Sequence, residues 1–228
     1  RQSSENKYIR VGATVTVGSS VLSEIMKRLN EAYPVLDSHV FIGNTHEIEA
    51  RILNGELDIG LVEGKISNDK IESLAAMDDY MVIVCGRNHR FFGREAIKID
   101  ELRGENFIFR ENGSGTRAQA EELLNKYNIP FKSSWECSNI ESIKQAVVDG
   151  HGISAISERL VHKECAEGLM WACNVDGHPM QRNFSLVAIK NKIFTDVLSS
   201  FQEIVYAYAE NERAKRHIDS HTHLITLS

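Results

Sequence analysis

Hydroxyl and amide side chains gather at four points of the sequence where an apolar run gives way to a helical pattern. The segments are ATVTVGSS (13–20), GNTHE (43–47), NGSGT (112–116) and CSNIE (137–141). The first turn of a helix leaves backbone N–H groups without partners and carries partial positive charge. Threonine and serine add neutral donors there, so these segments together could bind a small anion.

Each of these segments also has an ordinary structural explanation. Asn44 with Glu47, and Ser138 with Glu141, have the spacing of a capping box, which satisfies the free N–H groups at the start of a helix. Ser114 is placed to cap the next helix, beside glycines that suit a tight turn. The convergence of several such turns favours a binding cleft, because ligands of open α/β sheets bind at the carboxyl ends of the strands.

The sequence lacks the motifs of the common enzyme classes. The HEIEA segment begins like a zinc-protease helix, but Ala50 stands where a second histidine is required. No G-x-S-x-G segment is present, and no Walker-A lysine follows the glycine loops. Asp78 and Asp79 are expected at a solvated turn, while Arg110 and Arg117 could be either anion partners or surface residues. We therefore expect a protein that is not an enzyme and that holds no cofactor or metal.

Composition places the chain among ordinary globular proteins. It has 228 residues, of which 42% are hydrophobic and 25% charged, enough for one large or two small domains. The formal net charge of −6 argues against nucleic-acid binding by this chain alone. The sequence has no apolar run long enough to span a membrane, and its polar N-terminus has no signal-peptide pattern.

Cysteine usage favours the cytoplasm, because the four cysteines form no CxxC pair and have no zinc-site spacing. Cys85 and Cys137 lie in strand-like segments and are expected to be buried, while Cys165 and Cys173 are either small hydrophobes or a redox pair. Three histidines near the C-terminus have metal-ligand spacing, although the polar segment around them is more typical of disorder: His217, His221 and His223.

Hydrophobic periodicity predicts alternating strands and helices, in a plan that occurs twice. The first half has predicted strands at 8–15, 38–43, 57–62, 70–77 and 80–86 and helices at 20–32 and 45–54. The second half has predicted strands at 106–110, 132–137, 152–157, 169–175 and 183–190 and helices at 116–127, 139–149, 158–165 and 194–209. The repeated βαβαβ plan, without a linker between the halves, predicts two α/β lobes and a hinge of crossing strands.

Several motifs resemble the effector-binding domain of LysR-type transcriptional regulators. They are LNGELDIGLVEG (53–64), GNTHEI (43–48), FRENGSGTR (109–117) and ESIKQAVVDGHGISAIS (141–157). The resemblance covers roughly residues 8–209, and it is greatest to the branch that regulates cysteine biosynthesis and carbon-dioxide fixation.

The resemblance implies an α/β fold of two Rossmann-like lobes joined by two crossing strands, like that of periplasmic binding proteins. The crossings would fall near 82–87 and 183–188. Lobe I would comprise residues 1–85 and 184–209, and lobe II residues 86–183. The polar tail, 210–228, is expected to be partly disordered.

By position in these motifs, the resemblance also implies a set of effector-binding residues in the cleft between the lobes. They are Thr14, Thr16, Val17, Asn44, Thr45, His46, Ser114, Gly115, Thr116, Ser138 and Asn139. The effector would be a small anionic metabolite.

The family pattern further implies partners outside this chain. Family members begin with a winged helix-turn-helix that binds DNA, which is absent here, so we expect this chain to be part of a longer protein. A homodimer of this domain and a homotetramer of the full-length protein are expected, with no membrane partner. The alternative is a solute-binding protein of a transporter, which has the same fold.

Overall fold

The computed structural model describes the backbone of residues 7–225 and the side chains of residues 7–215. Its strands are β1 (Tyr8–Thr14), β2 (Asp37–Gly43), β3 (Ile59–Glu63), β4 (Ile71–Gly86), β5 (Ala96–Ile97), β6 (Asn106–Arg110), β7 (Lys132–Cys137), β8 (Ser154–Ser157), β9 (Met170–Val175) and β10 (Met180–Ile189). Its α-helices are α1 (Val15–Ser20), α2 (Leu22–Ala32), α3 (Thr45–Leu53), α4 (Gly115–Lys126), α5 (Ile140–Val148), α6 (His162–Ala166) and α7 (Asp196–Ile225).

Two long antiparallel strands, β4 and β10, connect the two halves of the molecule. In lobe I, β1 lies between β2 and β3 and parallel to both, and β10 pairs with β3 and then with β4. In lobe II, the end of β4 pairs with β8 and β9, while β6 and β7 form a separate parallel pair. The predicted two-lobe α/β fold with crossing strands is confirmed.

Each lobe has its own hydrophobic core. Helices α1, α2 and α7 cover one face of the lobe I sheet, and α3 covers the other. Helix α4 packs on one side of lobe II, against Phe107 and Phe109, and α5 packs on the other, against Ile108. No helix in the described part of the chain has both the length and the apolar composition needed to cross a bilayer.

The crossing strand β4 differs from the two separate strands predicted at 70–77 and 80–86. The prediction placed a turn at Asp78 and Asp79 because paired charges are typical of solvated turns. In the structure the strand continues through both residues, and Asp79 is fully buried. Its charge is tolerated because Arg182 on β10 and Arg159 pair with it.

The start of the first helix was also predicted wrongly. Helix α1 begins at Val15 rather than at residue 20. Val21, whose backbone dihedral angles are not helical, separates α1 from α2. Thr16, Ser19 and Ser20 of the first turn segment therefore lie inside a helix, while Thr14 is the last residue of β1.

The last helix is longer than the predicted 194–209, because α7 continues to Ile225. Ion pairs hold its extension, since Glu212 pairs with Arg159 and Arg213 pairs with Asp78. Partial disorder was predicted for residues 210–228. The structure has residues 210–225 in α7, and residues 226–228 lie outside the described residues. The side chains of the three tail histidines lie outside the described side chains as well.

The division of the chain into lobes at residues 85 and 183 stays a prediction. Residues 81–86 pair with β8 and β9 in the structure, and Val82 and Val84 belong to a lobe II core. Strand β4 therefore leaves lobe I a few residues before the predicted boundary at residue 85.

An ion-pair cluster around Asp58 joins the edge of lobe I to the loop before α7. The Asp58 carboxylate accepts hydrogen bonds from Arg10 Nε at 3.0 Å and Arg10 Nη2 at 2.9 Å, and from Lys192 Nζ at 3.2 Å. Burial alone would raise the pKa of Asp58, but the bonds and charges of Arg10 and Lys192 outweigh it, so the pKa is lowered.

Asp58→Asn should lower the free energy of unfolding at pH 7 by about 2 kcal/mol, because charge-assisted bonds are lost. A carboxylate with a lowered folded-state pKa stabilises the fold above its unfolded pKa of about 3.9 and loses that effect as pH falls through its folded value. Urea titrations between pH 7 and pH 2 should therefore show the two proteins converging at acid pH.

Asp100→Asn is the matched control, because the Asp100 side chain is 79% exposed in its pair with Arg103. It should change stability by less than about 0.5 kcal/mol. Equal stabilities of Asp58→Asn and the unmodified chain at pH 7 would contradict the assigned role.

Candidate functional site

A buried carboxylate lies between the lobes, at the carboxyl end of β3. The Glu63 side chain accepts hydrogen bonds from the hydroxyls of Thr14, of Thr16 at 3.2 Å and of Thr116 at 3.4 Å. Glu63 itself is 1% exposed. We call these three threonines and Glu63 the cradle.

The local sequence explains how the threonines reach one point. Thr14 ends β1 and is the residue before α1, Thr16 lies in the first turn of α1, and Thr116 lies in the first turn of α4. The ends of parallel neighbours β1 and β3 lie at the same edge of the sheet, so Thr14 and Glu63 come together. The Thr14 side chain makes no capping bond to its own helix, because its hydroxyl is directed to Glu63.

The lobes touch directly beside the cradle. A Cβ atom placed on Gly115 would overlap the Glu63 carbonyl oxygen and would lie 2.9 Å from the Gly64 Cα. The same carbonyl accepts a bond of 2.7 Å from the Thr45 hydroxyl. Gly115 is therefore required for the close approach of lobe II to lobe I, which explains why a glycine begins α4.

A cavity of about 390 Å³ opens from this contact to the surface. Its walls include Thr45, His46 and Lys65 from lobe I and Ser114 and Arg117 from lobe II. Residues at the N-termini of α3 and α4 thus face one space between the lobes. The pKa of Arg117 is raised by its hydrogen bond to Glu121, so this cation remains charged.

Two buried donors around this region have no partner among the described residues. The Ser114 hydroxyl is one, although Ser114 occupies the residue before α4 where a capping bond was the alternative explanation. The other is Nη2 of Arg182, whose Nη1 donates to the Thr116 hydroxyl at 2.9 Å. Buried donors usually have partners, so both are candidates to bind an acceptor.

The second turn segment has a mixed outcome. The predicted capping box of Asn44 and Glu47 is confirmed, with the Glu47 N–H donating to Asn44 Oδ1 at 3.0 Å. Thr45 is buried against the Glu63 backbone, while His46 is exposed at the cavity wall, where its backbone N–H donates to the Gly113 carbonyl at 3.4 Å.

The fourth segment does not reach the cradle. Ser138 and Asn139 are both exposed, and no hydrogen bond in the described part of the chain joins them to the threonines. The predicted capping box of Ser138 and Glu141 is wrong, because Asn139 is the capping residue and accepts from the N–H groups of Glu141 and Ser142. Val17 packs in the lobe I core, so its side chain is unavailable to a ligand in the cleft.

Glu63, Arg182 and Asp79 belong to the candidate site by their contacts, and sequence reasoning missed them. Glu63 had a usable signal, because it is the charged residue that ends the apolar strand LDIGLV at the ligand-binding edge. Arg182 and Asp79 had none, because their partnership depends on the pairing of two distant strands. Among the described residues, no group of three His, Cys, Asp or Glu side chains could hold a metal ion.

Comparisons with known proteins agree with this architecture. The model of the LysR substrate binding domain family matches residues 2–208. The regulator CysL of Bacillus subtilis is 31% identical over 199 residues, which cover 84% of this chain and 67% of CysL. The activator CmpR of Synechocystis sp. is 29% identical over 198 residues, which cover 87% of this chain and 65% of CmpR. The chain thus spans about two thirds of the length of these relatives.

Solved structures show the same fold. The CcmR regulatory domain of Synechocystis PCC6803, in complex with 2-PG, superposes with a TM-score of 0.84 at 24% identity, covering 90% of this chain and 99% of that domain. The QuiR effector-binding domain, in complex with shikimate, has a TM-score of 0.80 at 19% identity, covering 90% and 98%.

The relatives are transcriptional regulators, which supports the regulatory interpretation over a transporter's solute-binding protein. The family model covers nearly the whole chain, and the motif resemblance is confirmed. The chain belongs to the LysR-type transcriptional regulators, as their effector-binding domain.

Proposed function

We propose that the domain senses a small anionic metabolite that binds between the lobes. The observation that carries this proposal is the cradle itself, in which hydroxyls from both lobes already hold a carboxylate. Groups that satisfy one buried carboxylate can satisfy another anion of similar size. The effector would take the place of the Glu63 side chain, so that binding exchanges one anion for another.

The unpartnered donors indicate what an incoming anion would gain. The Ser114 hydroxyl and Arg182 Nη2 lack acceptors, and an anion with several oxygen atoms would offer them. Charge-assisted hydrogen bonds of this kind are stronger than neutral ones. Lys65 and Arg117 line the cavity as well, where each is already paired with a carboxylate, of Glu122 and Glu121 respectively.

Transmission would follow from the contact between the lobes. A ligand held by both lobes stabilises the arrangement in which both can reach it, which shifts the population toward that arrangement. The rotation would occur where β4 and β10 cross between the lobes, around Asp79 and Arg182. The output would be an altered geometry of the DNA-binding winged helix-turn-helix outside this chain, in a homodimer of this domain and a full-length homotetramer.

The proposed role is allosteric and not enzymatic. Regulation of transcription by DNA binding would place the full-length protein in the cytoplasm. CcmR and QuiR were solved with 2-PG and shikimate, which makes these two compounds reasonable members of a first ligand panel.

A thermal-shift panel of sulfate, sulfite, phosphate, small carboxylates, 2-PG and shikimate tests the proposal. A ligand at about 100 times its dissociation constant should stabilise the fold by roughly 2.7 kcal/mol, or about 5–10 °C. Ser114→Ala should reduce the shift, and Ser133→Ala, an exposed serine of β7, should not. The proposal fails if no anion gives a shift, or if both variants shift equally.

Glu63→Gln should bind the anion found in that panel at least about tenfold more tightly, because the competing negative charge is removed. Isothermal titration calorimetry would measure the change. Glu49→Gln is the control, since it removes the same charge from the cavity rim. Affinity of Glu63→Gln that is unchanged, or raised only as much as in the control, would show that the anion does not compete with this carboxylate.

Gly115→Ala should separate the lobes at their contact, because the added methyl group overlaps the Glu63 carbonyl. We expect a loss of about 2 kcal/mol in unfolding free energy, as for other overpacked sites, and at least about tenfold weaker anion binding. Asn125→Ala, at an exposed position of the same helix that lies outside the cavity lining, should have neither effect. Normal binding by Gly115→Ala would contradict a site made by both lobes.

A further inference from the structure

A second buried carboxylate, Asp79, lies at the centre of a charge network between the crossing strands. Asp79 Oδ2 accepts from Arg182 Nε at 2.7 Å, and Oδ1 accepts from the Ser157 hydroxyl at 2.6 Å. Arg159 Nε lies 3.2 Å from the same Oδ1. Asp79 is 0% exposed, so these two guanidinium groups compensate its charge.

One end of this network reaches the cradle. Arg182 donates to the Thr116 hydroxyl, which in turn donates to Glu63. A hydroxyl can accept one bond while donating another, so Thr116 links the Arg182 cation to the Glu63 anion. The anion that occupies the cradle therefore interacts with the Arg182 guanidinium through the Thr116 hydroxyl.

The other end reaches the last helix. Arg159, in the 3₁₀ turn Glu158–Leu160 of lobe II, forms a bidentate pair with Glu212 of α7 at 2.9 and 2.7 Å. Arg159 also donates to the Asp78 carbonyl at 2.8 Å. Burial alone would lower the pKa of Arg159, but the bonds and charge of Glu212 raise it, so the pair remains ionised. This pair joins lobe II to a helix of lobe I.

The charges alternate in sign along this line. They are, in order, Glu63, Arg182, Asp79, Arg159 and Glu212. In an alternating row each cation is shared by two anions, and each inner anion by two cations. If the interaction of Glu63 with Arg182 weakens, Arg182 therefore binds Asp79 more strongly. Asp79 then binds Arg159 less strongly, and Arg159 binds Glu212 more strongly.

We propose that Arg182, Asp79 and Arg159 are positioning residues that couple the anion in the cradle to the docking of α7 on lobe II. The proposal rests on the proposed function, because it gives the cradle anion a readout at the opposite side of the hinge. A more negative occupant attracts Arg182 from Asp79, Asp79 then attracts Arg159 more strongly, and Arg159 releases Glu212. A less negative occupant has the reverse effect and tightens the Arg159–Glu212 pair.

The test requires no effector. In the 228-residue chain, Glu63→Gln neutralises the cradle occupant without removing its bulk. Native-state hydrogen exchange by mass spectrometry should show the amides of residues 209–215 exchanging at least about threefold more slowly, relative to residues 198–204 of the same helix. The same substitution made together with Glu212→Gln should lose this effect, and with Glu212→Asp should retain part of it.

Glu122→Gln is the matched control. Lys65 and Glu122 also form an ion pair between the lobes, but their side chains are 84% and 62% exposed and stand outside the network. Glu63→Gln should slow exchange equally with and without this change. Glu212 is used instead of Asp79 because its side chain is 25% exposed, so its replacement is compatible with folding.

The outcomes are decisive for the coupling. Slower exchange confined to 209–215 that disappears in the Glu212→Gln background supports it. Unchanged or faster exchange, an effect that persists without Glu212, or an equal change throughout α7 overturns it. An anion that binds in the thermal-shift panel while 209–215 remain insensitive would leave the proposed function intact and refute the coupling. Slower exchange of 209–215 in Glu63→Gln, with no anion binding in the panel, would support the coupling and refute the proposed function.

Discussion

The buried carboxylate of Glu63 is the group to which the arrangement of both lobes is tied. A carboxylate removed from water needs hydrogen-bond donors to replace its hydration. Those donors are hydroxyls of Thr14 and Thr16 in lobe I and of Thr116 in lobe II. The hydrogen bonds that satisfy the Glu63 carboxylate therefore also hold the two lobes together. Any group that changes these bonds also changes the contact between the lobes.

The crossing strands impose a related constraint. Strands β4 and β10 pass between the lobes and carry opposite charges, Asp79 and Arg182, at the point where they cross. A charge in the interior of a sheet persists only when it is paired, so the register of the two strands and the pairing of these charges are mutually dependent. Through Thr116 and Arg159, the hinge is connected both to the cradle and to α7.

Local patterns in the sequence were sufficient for most elements and insufficient for the partners of the site residues. Apolar periodicity located the strands and helices of both lobes, and Asn44 correctly marked the start of α3. The same reasoning failed at Asp79, because a charged pair in a strand has the composition of a turn. It also proposed Ser138 as a cleft residue, and that residue is exposed and makes no hydrogen bond to the cradle in the described part of the chain.

The sequence by itself determined the two-lobe α/β plan and the clustering of threonines at strand ends, because periodicity and strand polarity are properties of the chain's order. Only the tertiary structure decided that Glu63 occupies the space between those threonines. It alone decided that Gly115 sets the distance between the lobes and that α7 docks through Glu212. These outcomes depend on contacts between residues about fifty positions or more apart, which no local pattern encodes.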